Sequence, residues 1–198
     1  IPEARLDDAV RRVLRVKFKL GLMGQTPVRR GTAGAIGAAS HLALAREAVA
    51  KSLVLLKNNG GVLPLRPGVR VLVAGAGAND MAMQCGGWTI SWQGLDTTAA
   101  DFPQGQTLGQ AFAKAVVAAG GEVEVSPSGA RHRRPDVAVI VTGERPYAEF
   151  QGDLPHLGFK TSAGETALIE QLRAEGVKVV VLFLSGRPLF TGALMNQA

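Results

Sequence analysis

Four short runs in this 198-residue chain have the pattern of strands: RVLVA at 70–74, EVEV at 122–125, DVAVIVTG at 136–143 and VKVVVLFLSG at 177–186. The first, third and fourth are apolar on successive positions, so both faces of each strand are predicted to be buried. Between and around them lie stretches with apolar residues three and four apart. TLGQAFAKAVVAAG opens on Thr107, and SAGETALIEQLRAEG opens on Ser162 with Glu165 at capping-box spacing. HLALAREAVAKSLVLLKN follows Ser40, a candidate N-cap, and ends at Gly60 and Gly61. MAMQC reads as a short helix, and RPLFTGALM begins another near the end of the sequence. Strands apolar on both faces, alternating with amphipathic helices, predict an α/β fold: a mostly parallel sheet sandwiched by helices.

The first 38 residues have a different pattern. In IPEARLDDAVRRVLRVKFKLGLM, Leu6, Val10, Val13, Leu14 and Phe18 keep helical spacing. Asp7 and Asp8 come early and Lys17 and Lys19 late, which suits the helix dipole, and Gly21 is a stop signal. Residues 24–38 are rich in Gly, Ala, Thr and Pro without periodicity, which is linker composition. The expected organisation is a helix at 1–23, a linker at 24–38 and a main domain at 39–198. The apolar stripe of the first helix has no partner beside it in sequence, and the last helix has barely begun when the sequence stops. The chain therefore reads as a piece of a larger protein, and compartment is not legible from it.

Composition removes several classes. With 46% apolar and 19% charged residues the chain is not globally disordered. Cys85 is the single cysteine, so no internal disulfide forms. No apolar run approaches the roughly 18 residues of a membrane span, and no membrane partner is expected. The net charge of +6 is scattered; its tightest cluster, RHRR at 131–134, reads as a solvated loop, and no nucleic-acid partner is expected.

In parallel sheets of this kind, ligands gather at the carboxyl ends of the strands, where three loops are expected. GAGAND, after the first strand, has Gly75 and Gly77 at fingerprint spacing but Asp80 at the third position, so a tight turn is favoured over a dinucleotide site. The loop after the third strand holds Glu144, Glu149 and Asp153 beside Tyr147 and Phe150. Carboxylates against an apolar wall suit acid/base chemistry, because the wall raises a carboxyl pKa; a solvated acidic loop is the alternative. The third loop is the short SGRP. Elsewhere, GGWTISWQG, which reads as a loop or hairpin, carries the only two tryptophans, Trp88 and Trp92. Four apart, they face the same way in a strand-like segment, as core anchors or as a platform for a pyranose ring. His41, His132 and His156 lack metal-ligand spacing, Cys85 has no histidine nearby, and neither metal nor cofactor is expected.

AVAKSLVLLKNNGGVLPL, QCGGWTISWQG and GERPYAEFQGD, in that order, resemble the second domain of the family 3 glycoside hydrolases, the β-glucosidase and exo-β-glucanase group. The opening helix resembles the end of that family's first domain, a (β/α)8-type barrel, running into the interdomain linker. The resemblance implies a retaining hydrolase acting on terminal β-glucosyl residues of β-glucans or cello-oligosaccharides. In it the missing barrel supplies an aspartate nucleophile and this domain supplies the acid/base glutamate. By position in GERPYAE that glutamate is Glu149, with Glu144 as its rival. Trp92 matches a ring that clamps the sugar on the leaving-group side, and Trp88 looks more structural. The family's habit implies a periplasmic or secreted enzyme, inactive as this fragment alone. A carbohydrate-binding module that has lost catalysis and a nucleotide-binding α/β domain are the competing classes; an intact GERPYAE argues against the first.

Overall fold

In the computed structural model, residues 1–24, 31 and 33–197 are described. The chain divides into two units, Ile1–Leu55 and Leu56–Ala198.

The first unit is helical. Helix α1 (Glu3–Lys19) begins with Glu3 and ends with Lys17 and Lys19, the polarity the dipole favours. Asp7 pairs with Arg11 at 3.1 Å and Asp8 with Arg12 at 3.0 Å, one turn apart. Gly21, at φ +71°, lies just beyond the helix end. Helix α2 (Ala39–Ser52) departs from the expected segment at both ends. Its N-cap is Ala38 with no side-chain bond, so Ser40 lies inside the helix, and Leu53 is already extended at ψ 133°. Residues 53–56 are Leu-Val-Leu-Leu. A short run apolar on every side carries no helical stripe, and periodicity alone cannot separate helix from extended chain there. Residues 25–30 and 32 of the expected linker lie outside the described residues.

The second unit carries the sheet. Strands β1 (Arg70–Ala74), β2 (Glu122–Val125), β3 (Val137–Gly143) and β4 (Lys178–Leu184) pair in the order β2-β1-β3-β4. Every pairing is parallel, with Leu72 opposite both Glu124 and Ala138. The helices of this unit are α3 (Met81–Cys85), α4 (Leu108–Ala118), α5 (Ala163–Ala174) and α6 (Gly192–Gln197). Alternate strand residues feed two cores. Val71, Val73, Val139 and Val141 pack with Val116 of α4 on one face. Leu72, Ala74, Ala138 and Ile140 pack with Ile169 and Leu172 of α5 and Leu194 of α6 on the other. Each fully buried Val, Leu or Ile contributes about 1.5–3 kcal/mol relative to exposure. The strand segments read from apolar runs, and the helices covering both faces, are therefore observed as predicted.

Side-chain caps fix where these helices start. Asp80 accepts from the Met83 N–H and caps α3. Thr107 and Gln110 form a reciprocal capping box at α4, and Ser162 caps α5 through the Glu165 N–H. The Glu165 carboxylate also accepts from the Thr142 hydroxyl at 3.0 Å and the Ala76 N–H at 3.1 Å. One side chain thus ties α5 to the end of β3 and to the loop following β1. Those two strands flank the point where the strand order reverses, the crevice where open parallel sheets bind ligands. At Gly75 (φ +91°) a Cβ would lie 2.3 Å from the Val141 carbonyl oxygen. GAGAND is accordingly a tight turn crossing over β3, and Asp80 serves as a cap rather than as a third fingerprint glycine.

The RHRR cluster is engaged by carboxylates of the same unit. Arg131 pairs with Glu175, Arg133 with Glu122 at 3.4 Å and His132 with Glu124 at 2.9 Å. Arg134 donates to the Glu175 carbonyl. Glu124 is held below its ordinary pKa chiefly by the His132 backbone and side-chain donors. Among the described residues no helix is long and apolar enough to cross a membrane.

Candidate functional site

The loop leaving β3 and the segment between α3 and residue 94 meet backbone to backbone. A Cβ on Gly87 would lie 1.9 Å from the Tyr147 carbonyl oxygen, so any other residue there would force the two segments apart. The tryptophan segment, read as a loop or hairpin, is a bent loop. It is closed by the Trp88 N–H donating to the Trp92 carbonyl at 2.9 Å. The two rings therefore converge through a turn, with centroids 6.2 Å apart, as the loop reading of this segment allows. Trp88 (φ +60°) and Ile90 (φ +64°) take left-handed backbone, and so does Phe150 (φ +70°) on the facing loop. Such conformations cost on the order of 1–3 kcal/mol each in a residue with a Cβ and cluster at functional sites.

Glu149 stands at this junction. Its side chain is exposed, and its Oε2 accepts from the Trp92 indole Nε1–H at 2.7 Å. The Phe150 ring meets Trp92 edge-on at 5.7 Å. Trp92 is 46% exposed and Trp88 67%, so neither indole is a core anchor. The Trp92 donor, with a smaller contribution from Trp88, holds the Glu149 carboxyl below its ordinary pKa. That direction is opposite to the rise expected from an apolar wall. The carboxylate is open to water, and a donor aimed at it favours the charged form.

Glu144, five residues earlier, is held quite differently. Arg187 donates to both its carboxylate oxygens, through Nε at 3.1 and 3.2 Å and through Nη2 at 2.9 Å. The Ser185 hydroxyl donates to the same carboxylate at 2.7 Å. The Arg187 guanidinium also caps the Tyr147 ring at 3.9 Å and donates to the Gly152 carbonyl. Burial first, and the Glu144 charge second, push the Tyr147 phenol up. Arg187 thus joins both ends of the 144–152 loop to the turn after β4.

Of Glu149, Trp92 and Glu144, the residues singled out in the sequence, the fold brings the first two into direct contact. Gln93 and Arg187 were missed there. The signal for Arg187 was its position in SGRP at a strand's carboxyl end. For Gln93 it was a polar residue beside Trp92 in a glycine-bounded loop.

Residues 53–198 match the Glycosyl hydrolase family 3 C-terminal domain. The chain belongs to glycosyl hydrolase family 3. A solved exo-1,3/1,4-beta-glucanase from a Pseudoalteromonas species is 46% identical, with a TM-score of 0.89 over all of this chain and 25% of that one. The beta-glucosidase of Listeria innocua, solved in complex with glucose, is 23% identical with a TM-score of 0.77, a likeness of fold alone. A lysosomal beta glucosidase of Dictyostelium discoideum is 28% identical over 95% of this family 3 chain and 25% of its own length. A periplasmic beta-glucosidase/beta-xylosidase of Dickeya chrysanthemi is 46% identical over 40% of the chain and 12% of its own length. The family 3 chain thus spans about a quarter or less of these relatives.

Proposed function

We propose that this chain supplies the acid/base half of a retaining β-glucosidase or exo-β-glucanase acting on terminal β-D-glucosyl residues of β-glucans or cello-oligosaccharides. Residues 1–23 are then the last helix of an N-terminal barrel, 24–38 the interdomain linker and 39–198 the α/β domain. The barrel supplies the aspartate nucleophile. The observation carrying the reading is the 2.7 Å bond from Trp92 Nε1 to Glu149 Oε2 amid exposed aromatic rings. It aims a carboxyl group out of the fold beside flat apolar faces suited to the CH face of a sugar.

In the first step Glu149 protonates the departing glycosidic oxygen while the nucleophile attacks the anomeric carbon. In the second it removes a proton from the water that releases the glycosyl-enzyme. Retention needs the two carboxyl groups about 5–5.5 Å apart. That neighbouring charge, with the loss of water when sugar seats, raises the Glu149 pKa from its present low setting. Glu144 is unsuited to the role because Arg187 and Ser185 occupy its oxygens. Trp92 both orients Glu149 and stacks on the leaving-group sugar. The lysosomal and periplasmic relatives support a periplasmic or secreted setting.

The test is made on the protein carrying both this chain and a barrel. It should release β-glucose first from cellobiose or laminaribiose, seen by NMR. Glu149→Gln should lose turnover of these disaccharides while still forming the glycosyl-enzyme from dinitrophenyl β-glucoside. First release of α-glucose, or equal loss on both substrate classes, defeats the reading.

A further inference from the structure

We propose that Gln93 is a positioning residue for the acid/base step, a role that rests on the reading of Glu149 as the acid. Its carboxamide spans the peptide segment from which Glu149 springs. The Ala148 N–H donates to Gln93 Oε1 at 2.7 Å, and Gln93 Nε2 donates to the Glu149 carbonyl at 3.1 Å. Because a peptide N–H can only donate and a carbonyl can only accept, the orientation of the Gln93 amide follows from its partners. The two bonds bracket the φ and ψ angles of residues 148 and 149, and so fix the direction in which the Glu149 side chain leaves the backbone.

The neighbouring residue completes the arrangement. Trp92 holds the carboxylate end of Glu149 and Gln93 holds its backbone end. A glutamate has three side-chain torsions, and proton transfer needs its oxygen within hydrogen-bond reach of the leaving oxygen. With the backbone of 148–149 loose, the indole bond alone leaves the carboxylate free to swing with its loop. Phe150, at φ +70°, is the next residue, so the backbone restrained by Gln93 runs directly into a strained position. Such a conformation persists only when its surroundings over-determine it. Gln93 is half-buried, and its two hydrogen bonds go to the loop backbone.

The experiment compares Gln93→Met and Gln93→Ala in the enzyme with its barrel, on cellobiose and on dinitrophenyl β-glucoside, alone and combined with Glu149→Gln. Methionine keeps the length and apolar stem of glutamine and removes both hydrogen bonds, so it serves if alanine disturbs folding. The expected result for kcat/KM on cellobiose is a fall of roughly ten- to a hundredfold, the scale of a small misplacement of a reacting group. Activity on the dinitrophenyl substrate, which needs no acid, changes by less than about threefold, and the Gln93 substitution adds no further loss in the Glu149→Gln background. Equal loss on both substrates, loss that multiplies with that of Glu149→Gln, or a raised KM with kcat intact overturns the role; the last would make Gln93 a sugar ligand. If Glu149→Gln itself hits both substrates equally and azide restores nothing, the acid assignment fails and the role of Gln93 falls with it.

Discussion

Glu144 and Glu149 lie five residues apart on one loop, and the fold uses them in opposite ways. Glu144 sits at the stem, its side chain 14% exposed and gripped by Arg187 and Ser185. Glu149 sits at the crest, exposed, with a neutral indole donor on one oxygen. A bidentate guanidinium neutralises a carboxylate and takes up its lone pairs, so Glu144 can hold a loop in place but cannot shuttle a proton. An indole N–H orients a carboxylate without neutralising it and leaves the other oxygen free. Under the proposed function, two identical side chains thus become a brace and a reactive group through their partners alone.

The largest effect that sharpens this contrast is on turnover. Glu149→Gln in the barrel-containing enzyme should lower kcat/KM on disaccharides by about a thousandfold, within the usual range for a general acid, with a smaller fall in melting temperature than Glu144→Gln causes. Glu144→Gln should do the reverse. It leaves the Arg187 charge without its counterion, and a fall in melting temperature of about 5 °C is expected by calorimetry, with a loss of activity similar for good and poor leaving groups. If Glu144→Gln selectively spares activated substrates, the two roles are exchanged. Trp92→Ala comes next: it should weaken binding of oligosaccharides more than of aryl monosaccharides, measured as KM.

The smallest effect is on pH dependence. Trp92→Phe keeps a ring and removes the donor. The lost bond favoured ionised Glu149, so its pKa should rise, and the alkaline limb of kcat/KM, which follows the acid of the free enzyme, should move to higher pH. The bond also adds stability that is present above the unfolded-state pKa and vanishes as pH falls through the lower folded value. In Trp92→Phe that acid-side loss should be diminished in urea melts run at successive pH values. A downward move of the alkaline limb would mean that the indole does not govern this carboxyl.

The sheet was legible because burial on both faces forces long apolar runs, and RVLVA and DVAVIVTG carry that trace residue by residue. The caps were legible for the same local reason: Thr107 and Ser162 act within one turn. The end of α2 was not, because LVLL is apolar on every side and suits either backbone. Glu149 and Trp92 were found through resemblance, whereas their contact arises 57 residues apart in sequence. Gln93 to Ala148 spans 55 residues and Arg187 to Glu144 spans 43. Single polar contacts over such distances leave no periodic mark. The solvated reading of the acidic loop fits Glu149 and not Glu144, because apolar neighbours in sequence do not tell whether the fold buries a side chain.

The left-handed backbone at Trp88, Ile90 and Phe150 bears on any attempt to toughen this protein. Glycine would relax all three positions, so a selection scored on heat resistance would drift toward it. Under the proposed function, each such gain at 88 or 150 would strip an aromatic face from around Glu149, and heat resistance would be exchanged for a weaker hold on the sugar.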